Sequence, residues 1–306
     1  MPPILTVLTA TLNRRDLLGG LLEALRNQDA PEGSFEMVVV DNGSSDGTWE
    51  WLQRLSIPNL RALREEKRGA AAARNRGLRE ARAERVLFLD DDMEPAPDLV
   101  RRHLEAHESA PAASFLGHIE FPWKDHAEPL LRYLAQVQAP ALFPFRDGEP
   151  VSFLHYYTAH VSSPMKAVER VGGFDESLGP YGYEDTDLGY RLEKGGIPMR
   201  FLAGARAVNR DVPLPEAHWA KVRKAGAAKA ALLKRRPELR KVFRRANWNG
   251  TLGWFLDILH LLLFLPAGPA FKHLYGRKDL PRWARWLYAL ETKRQQSLGW
   301  RDYSTE

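Results

Sequence analysis

The sequence predicts an α/β fold built on a mostly parallel, doubly wound sheet, and three observations carry that expectation. The first 110 residues alternate apolar runs of strand length with amphipathic runs of helix length. The run Val86-Leu87-Phe88-Leu89 is apolar without alternation, the pattern of a strand buried on both faces. It leads directly into three acids, Asp90-Asp91-Asp92, and open α/β sheets hold ligands at the carboxyl ends of their strands.

The elements follow in order. Residues 4–10 read as a strand, and 16–27 as a helix with leucines at 17, 18, 21, 22 and 25. Residues 35–40 and 59–64 are the next strands, with helices over 47–55 and 70–82, and 86–89 is the fourth strand. A helix is expected over 97–107, strands over 114–121 and 153–161, and a helix over 128–138 between them. Residues 184–194 read as a helix and 199–208 as a strand. From Leu214 the pattern is helical, over 216–235, 238–246, 252–265 and 282–296. Val212-Pro213-Leu214-Pro215 marks a boundary between 1–212 and a basic, helical C-terminal region, 213–306.

Composition narrows the classes. The chain has 306 residues and no cysteine, so disulfides, thiolate metal sites and thiol nucleophiles are excluded. The absence of cysteine fits a cytoplasmic protein, and Met1-Pro2-Pro3-Ile4 runs into a strand pattern with no sign of a signal peptide. The net charge of +5 hides an asymmetry, because residues 219–306 hold nineteen Lys and Arg against six Asp and Glu. The preceding part is therefore net acidic. Basic helices of this kind associate with anionic surfaces. No aromatic or recognition motif is interleaved with them, so no nucleic-acid partner is expected. Residues 252–265 are apolar but short of the ~20 residues that cross a bilayer. They contain Asp257 and His260, and read either as a core helix or as an interfacial segment. Trp248, Trp254, Arg244, Arg245, Lys272, Arg277 and Lys278 favour contact with an anionic membrane through 219–285. That would put the protein peripherally on the inner face of the plasma membrane.

Three clustered anions need something positive among them, and hard oxygen ligands suit Mg²⁺ or Mn²⁺. The bland alternative is one Asp capping the next helix and two solvated ones. Two further loops fall at strand ends on the same side. Asp41-Asn42-Gly43-Ser44-Ser45-Asp46-Gly47-Thr48 is a tight β-to-α turn, or places Asp41 where a carboxylate accepts from a base or ribose. Arg68-Gly69 through Arg74-Asn75 opens a helix with small residues, which favours close approach of phosphate. No GxGxxG follows the first strand, whose loop reads Thr9-Ala10-Thr11-Leu12-Asn13-Arg14, so a dinucleotide cofactor is not indicated. Last comes Gly172-Gly173-Phe174-Asp175-Glu176, then Tyr181-Gly182-Tyr183-Glu184-Asp185. Acids in a first helical turn are favoured by the dipole, but one near a metal site can also serve as general base.

In their order and spacing these motifs resemble family 2 glycosyltransferases of the GT-A fold, over roughly residues 4–210. The resemblance implies a nucleotide-binding half, 1–110, and an acceptor-binding half, 111–212. It implies that Thr11 and Asp41 contact the base of a nucleotide-sugar, and that Asn13, Arg14, Gly69, Arg74 and Asn75 line its pocket. Asp90 and Asp92 correspond to the Asp-x-Asp motif, with Asp92 on Mn²⁺ or Mg²⁺ and Asp90 near the ribose or the ion's waters. Asp91 would border the donor and be the most replaceable of the three. Asp185 would be the general base of an inverting single displacement, with Glu184 binding the acceptor or orienting Asp185. The donor would carry UDP first, dTDP or GDP otherwise. The acceptor would be a glycan, lipid-linked or small-molecule hydroxyl, as in cell-envelope polysaccharide synthesis. Trp123, His126, Tyr156, Tyr157 and His160 are the acceptor-side candidates.

Two departures stand out. Ala10 and Leu12 occupy places where the family often has Pro and an aromatic residue. Near the end of the strand at 199–208, where many relatives present a His to the metal or phosphate, the chain reads Asn209-Arg210-Asp211. The alternatives are a GT-A nucleotidyltransferase, which would need a basic Gly-rich loop at 9–15, and a catalytically inert membrane-surface or scaffold protein. A processive synthase is disfavoured, since Arg282-Trp283 lacks the Gln of a Gln-x-x-Arg-Trp motif.

Overall fold

The computed structural model describes residues 2–178, 182–246 and 282–305. The 252–265 segment, with its Trp248 and Trp254 flank, lies outside the described residues, as does Tyr181. Among the described residues no helix is long and apolar enough to cross a membrane.

The strands are β1 (Leu5–Thr11), β2 (Phe35–Asp41), β3 (Leu60–Arg64), β4 (Arg85–Leu89), β5 (Met93–Pro95), β6 (Ser114–Glu120), β7 (His160–Pro164) and β8 (Met199–Asn209). They form one eight-stranded sheet in the order β3-β2-β1-β4-β7-β6-β8-β5. β1 to β4 are mutually parallel and β6 is parallel to β8, while β7 and β5 run against their neighbours. This is the mostly parallel α/β sheet that the sequence leads one to expect. Val86, Leu87, Phe88 and Leu89 of β4 are all buried, which accounts for their unbroken apolar pattern.

Helices cover the sheet. α1 (Arg15–Arg26) buries Leu18, Leu21, Leu22 and Leu25, each a burial of about 1.5–3 kcal/mol. α2 (Thr48–Leu52), α3 (Ala70–Glu80) and α4 (Leu99–Ser109) follow β2, β3 and β5. α5 (Pro129–Tyr133) starts with Pro129 at its first turn and the Glu128 carboxylate accepting from the Leu130 N–H, then passes through a π turn into α6 (Ala139–Leu142). α7 (Met165–Arg170) and α8 (Glu184–Lys194) flank the last half of the sheet's chain order. α9 (Pro215–Arg235), α10 (Leu239–Ala246) and α11 (Arg282–Thr305) make up the C-terminal helices.

The expected strand over 153–161 is corrected. Ser152 caps a 3₁₀ turn, Phe153–His155, and the strand begins only at His160 and runs on to Pro164. Its continuation hides in the sequence because Ser162 and Ser163 are polar yet fully buried. Their hydroxyls are satisfied by His103, His107, Ser114 and Tyr156, all at 2.8 Å. The strand β5 and helix α7 carry too few residues to show a period.

The chain forms two compact units: 1–121 with 142–180 and 184–211, and 122–141 with 181–183 and 212–306. The first holds the sheet. Within the second, α9 and α11 approach closely at Gly226 and Gly299, where a Cβ would meet backbone of the other helix. Tyr288 stacks between Tyr133 and Trp219, at centroid distances of 5.0 and 6.5 Å.

Gly189 seats α8 against the 3₁₀ turn, since a Cβ there would lie 2.4 Å from the Tyr156 Cβ and 3.1 Å from the Phe153 carbonyl. Gly189→Ala is therefore expected to cost about 1–3 kcal/mol by overpacking. Gly20→Ala, on the exposed side of α1 with nothing near, should gain up to about 1 kcal/mol. Urea unfolding of both variants checks the pair, and equal midpoints would refute the packing account.

Candidate active site

β1, β2 and β4 end at one edge of the sheet, with Thr11 opposite Asp41 in register and Leu8 opposite Phe88. Parallel pairing therefore brings the first loop, the Asp41 loop and the acidic triplet together. The opposite half contributes through β8, whose Asn209 pairs with Met93 of β5. The Arg210 N–H donates to the Asp92 carbonyl at 2.8 Å, which fixes Asp211 beside the triplet.

Two arginines divide the three acids. Arg74, buried on α3, donates to Asp90 Oδ1 at 3.0 Å and to Glu184 Oε1 at 2.9 Å. Its guanidinium also lies 5.7 Å from the Phe174 ring centroid. Arg14, at the start of α1, donates to Asp91 Oδ1 at 3.0 Å and Asp92 Oδ2 at 3.1 Å, and also pairs with Asp211. The acids hold both guanidinium groups firmly in the charged form.

Asp91, expected to be the most replaceable, is instead tightly held. Its other oxygen accepts from the Thr11 hydroxyl at 2.7 Å, and the residue is 4 % exposed. Burial pushes its carboxyl up to about 6, against the pull of Arg14. Asp92 Oδ1 is buried without a hydrogen-bond partner. Burial, and then the Asp90 charge, push Asp92 up to about 7. Glu184 Oε2 is likewise buried and unpartnered.

Asp185 is half-buried, and its Oδ1 accepts from the Thr186 N–H at 2.6 Å. Burial and the adjacent Glu184 push it up to about 7, although Arg74 lowers it. The residue before α8, Tyr183, has φ 62°, an uncommon conformation for a bulky side chain and one that concentrates at functional sites.

The remaining expected residues are placed as follows. Asn13 ties the first loop to the second: its Oδ1 accepts from the Ser45 N–H at 2.7 Å and its own N–H donates to Ser44 Oγ at 2.8 Å. Asp41 is fully buried, and its oxygens accept from the Gly43 and Ser44 N–H groups, the turn role that the sequence left open. The Gly69 N–H donates to Asn42 Oδ1 at 2.8 Å, just before α3. Asn75 uses its amide on Phe174 and Glu176. Among the acceptor-side candidates, Tyr156, His160 and Trp123 are buried, while His126 is exposed and Tyr157 half-buried.

Asp211 is the site residue that the motifs did not single out. Its signal in the sequence was only its position after β8. The buried histidines 103, 107 and 160 also come together, with His103 Nε2 3.0 Å from His160 Nε2, and burial keeps all three well below the usual imidazole range. Among the described residues no group of three or more His, Cys, Asp or Glu side chains forms a ready-made metal cage.

Comparison with known proteins agrees with this geometry. The model of glycosyl transferase family 2 matches residues 6–155. An uncharacterized glycosyltransferase, YfnE of Bacillus subtilis, is 28% identical over 255 residues, covering 68% of this chain and 65% of that protein. Validoxylamine A glucosyltransferase of Streptomyces hygroscopicus subsp. limoneus is 33% identical over 223 residues, covering 64% of this chain and 49% of its own. The chain thus spans about half to two thirds of the length of these relatives. Among solved structures, the mannosyltransferase PcManGT of Pyrobaculum calidifontis, in complex with GDP-Man and Mn²⁺, superposes with a TM-score of 0.66 at 18% identity. That likeness covers 100% of this chain and 89% of the other. TarS 1–349 of S. aureus in complex with UDP gives 0.55 at 16% identity, covering 99% and 92%. With the sheet order, the acids at its edge and the family match in agreement, the chain belongs to glycosyl transferase family 2 and has the GT-A fold.

Proposed function

We propose that the protein is a metal-dependent, inverting glycosyltransferase that moves a sugar from a nucleotide-diphosphate donor to an acceptor hydroxyl by single displacement. The observation that carries the reading is Asp92 Oδ1, a buried carboxylate oxygen with no partner at the edge where the parallel strands end. Nothing in an apolar core stabilises such an atom, whereas a divalent cation does.

The residues present fit Mn²⁺ or Mg²⁺. These ions are commonly held by one or two carboxylates together with substrate phosphates, so a full protein cage is not required. Asp92 would supply the direct ligand, and Asp90 a second or a water-mediated one. The bound ion supplies charge neutralisation of the departing diphosphate. The complexes of PcManGT with GDP-Man and of TarS with UDP-GlcNAc and with UDP support a donor of this class.

The chain's own groups do the rest. Thr11 and Asp41, paired at the ends of β1 and β2, form the base side of the donor site. Arg74 holds Asp90 and Glu184 in place, so that Glu184 orients Asp185 instead of competing with it for a proton. Asp185 takes the acceptor hydroxyl's proton as the oxygen attacks the anomeric carbon and the diphosphate leaves from the opposite face. A carboxyl near 7 is matched to that task at neutral pH.

The direct test is binding of UDP-, GDP- and dTDP-sugars with Mn²⁺ or with EDTA, read by calorimetry and by slow donor hydrolysis. At least one donor should bind in a metal-dependent way; no such donor in the panel refutes the reading. Asp185→Asn should lower transfer by about 10²–10⁴-fold while donor affinity stays within a factor of a few. Loss of donor binding would show that the base is misassigned.

The pH dependence has a defined sign. Because Asp185 must be ionised to act, kcat/KM should rise as pH increases through about 7. For stability the sign is opposite. The folded carboxyl holds its proton above the unfolded value, so ionising it costs stability as pH rises from about 4 to 7. Asp185→Asn should raise the melting midpoint by roughly 2–4 °C above pH 7, with the gain disappearing near pH 4. Melting curves across that range check it, and a variant less stable at pH 8 than at pH 4, relative to the parent, would contradict it.

A further inference from the structure

We propose that the outward face of the β6–β8–β5 ribbon is a saccharide-binding groove, separate from the candidate active site, that holds a neutral glycan of more than one ring. The inference rests on the glycosyltransferase reading for why a glycan comes near it, while the groove's own chemistry selects the ligand.

Strand pairing builds the groove. Glu94 and Glu120 both lie opposite Val208, and His118 lies opposite Arg206, so these side chains share one face of the sheet. That face is turned outward. Glu94 and Arg206 are exposed, whereas Met93, Ile119 and Ala207, on the alternate face, are buried. The β6–β8 ladder then slips: Gly117 pairs with Leu202 but His118 with Arg206. Ala203 and Gly204, left out of the pairing, line the groove on one side. Phe143 and Phe145, on the segment after α6, also line it. That segment is tied to β8, since Asp147 Oδ1 accepts from the Ala203 N–H and the Gly148 N–H donates to the Phe201 carbonyl, both at 2.8 Å. The resulting cavity measures about 790 Å³, the size of a small-molecule site. None of its lining residues belongs to the candidate active site, although β5 leads into it directly from Asp92.

Two features identify the occupant. The first is that its charges are matched in pairs: Glu120 with Arg206 at 3.1 Å, Asp98 with Arg102 at 2.9 Å, and Glu94 with Arg210. Burial keeps the His118 imidazole below its usual range, so it adds no charge. A phosphate, a carboxylate or a cation must break a pair to bind. A neutral hydroxyl instead donates to the carboxylate and accepts from the guanidinium of an intact pair. The second feature is an aromatic end. His118 packs on Phe143 with 5.4 Å between ring centroids, and Phe145 on Phe201 with 5.8 Å. A sugar has the matching split surface, hydroxyls around its rim and C–H groups on its faces, and those hydrogens are drawn to the negative face of an aromatic ring.

Isothermal titration calorimetry of the full chain, without metal or nucleotide, tests the groove. The probes are cellohexaose, maltohexaose, mannohexaose and chitohexaose, their monosaccharides, and hexagalacturonate as an anionic arm. At least one neutral hexaose should bind more tightly than its monosaccharide and than hexagalacturonate, with little change between low and high salt. Glu120→Ala combined with Arg206→Ala removes one exposed pair, so it should barely move the melting temperature yet weaken hexaose binding by about tenfold. Phe145→Ala should weaken it by roughly three- to tenfold, and if that variant does not fold the pair variant decides. Absence of hexaose binding, preference for hexagalacturonate, a steep loss with salt, or parent-like affinity in either folded variant overturns the inference. Donor binding with Mn²⁺, measured on the same proteins, judges the parent reading separately and should be retained in both variants. A chain that binds a donor but no hexaose refutes the groove alone, and one that binds no donor refutes the glycosyltransferase reading.

Discussion

Crowding of negative charge at the end of β4 is the constraint around which the site is built. Two like charges 4 Å apart repel by about 4 kcal/mol at an effective dielectric constant of 20, and the triplet places three carboxylates on consecutive residues. Asp91 and Asp92 are buried, so solvent cannot screen them. The fold answers with two arginines from two different helices. Arg14 takes Asp91, Asp92 and Asp211, and Arg74 takes Asp90 together with Glu184. Each arginine therefore gathers acids from distant parts of the chain, and the active-site edge is held together largely by charge that would otherwise push it apart.

The two acids at the start of α8 illustrate how environment separates neighbouring groups of the same chemistry. Glu184 is buried against Arg74, which keeps one of its oxygens committed to a structural pair. Asp185 has no hydrogen bond to that pair, accepts from its own helix's first turn, and has its carboxyl raised by burial and by Glu184. The first is suited to holding geometry and the second to exchanging a proton. The close seating of Gly189 against Tyr156 fixes where α8 begins, and with it where the raised carboxyl sits.

A layer of buried polar groups braces the middle of the sheet. β7 runs antiparallel between β4 and β6, and its serines are satisfied by two histidines of α4, by Ser114 and by Tyr156. Burial keeps these imidazoles neutral, so the layer contributes hydrogen bonds without adding charge near the acids. β7 follows on from Ala159, whose carbonyl accepts from the Asp90 N–H, so the layer also anchors the start of the triplet.

Much of this was legible in the residues. The alternating periods of the first 110 residues specify β1 to β4 and α1 to α3 nearly to their ends, because each element buries an apolar face whose spacing is set by its own geometry. The acids, Arg74 and the 184–185 pair were likewise visible, since their types and order are distinctive and local. What the residues did not reveal depends on contacts between distant segments. β7 was obscured because its polar side chains are buried only by partners that the fold supplies. The internal partners of Asp41, Asn75 and Asp91 were not legible either: Gly43 and Ser44, Phe174 and Glu176, and Thr11 and Arg14 are brought to them by the fold. Asp211 had no motif at all. Local period and composition determined the sheet and the chemistry at its edge, whereas the pairing of β8 with β5 decided which distant acid joins it, because hydrogen-bond register between strands is a property of the folded sheet alone.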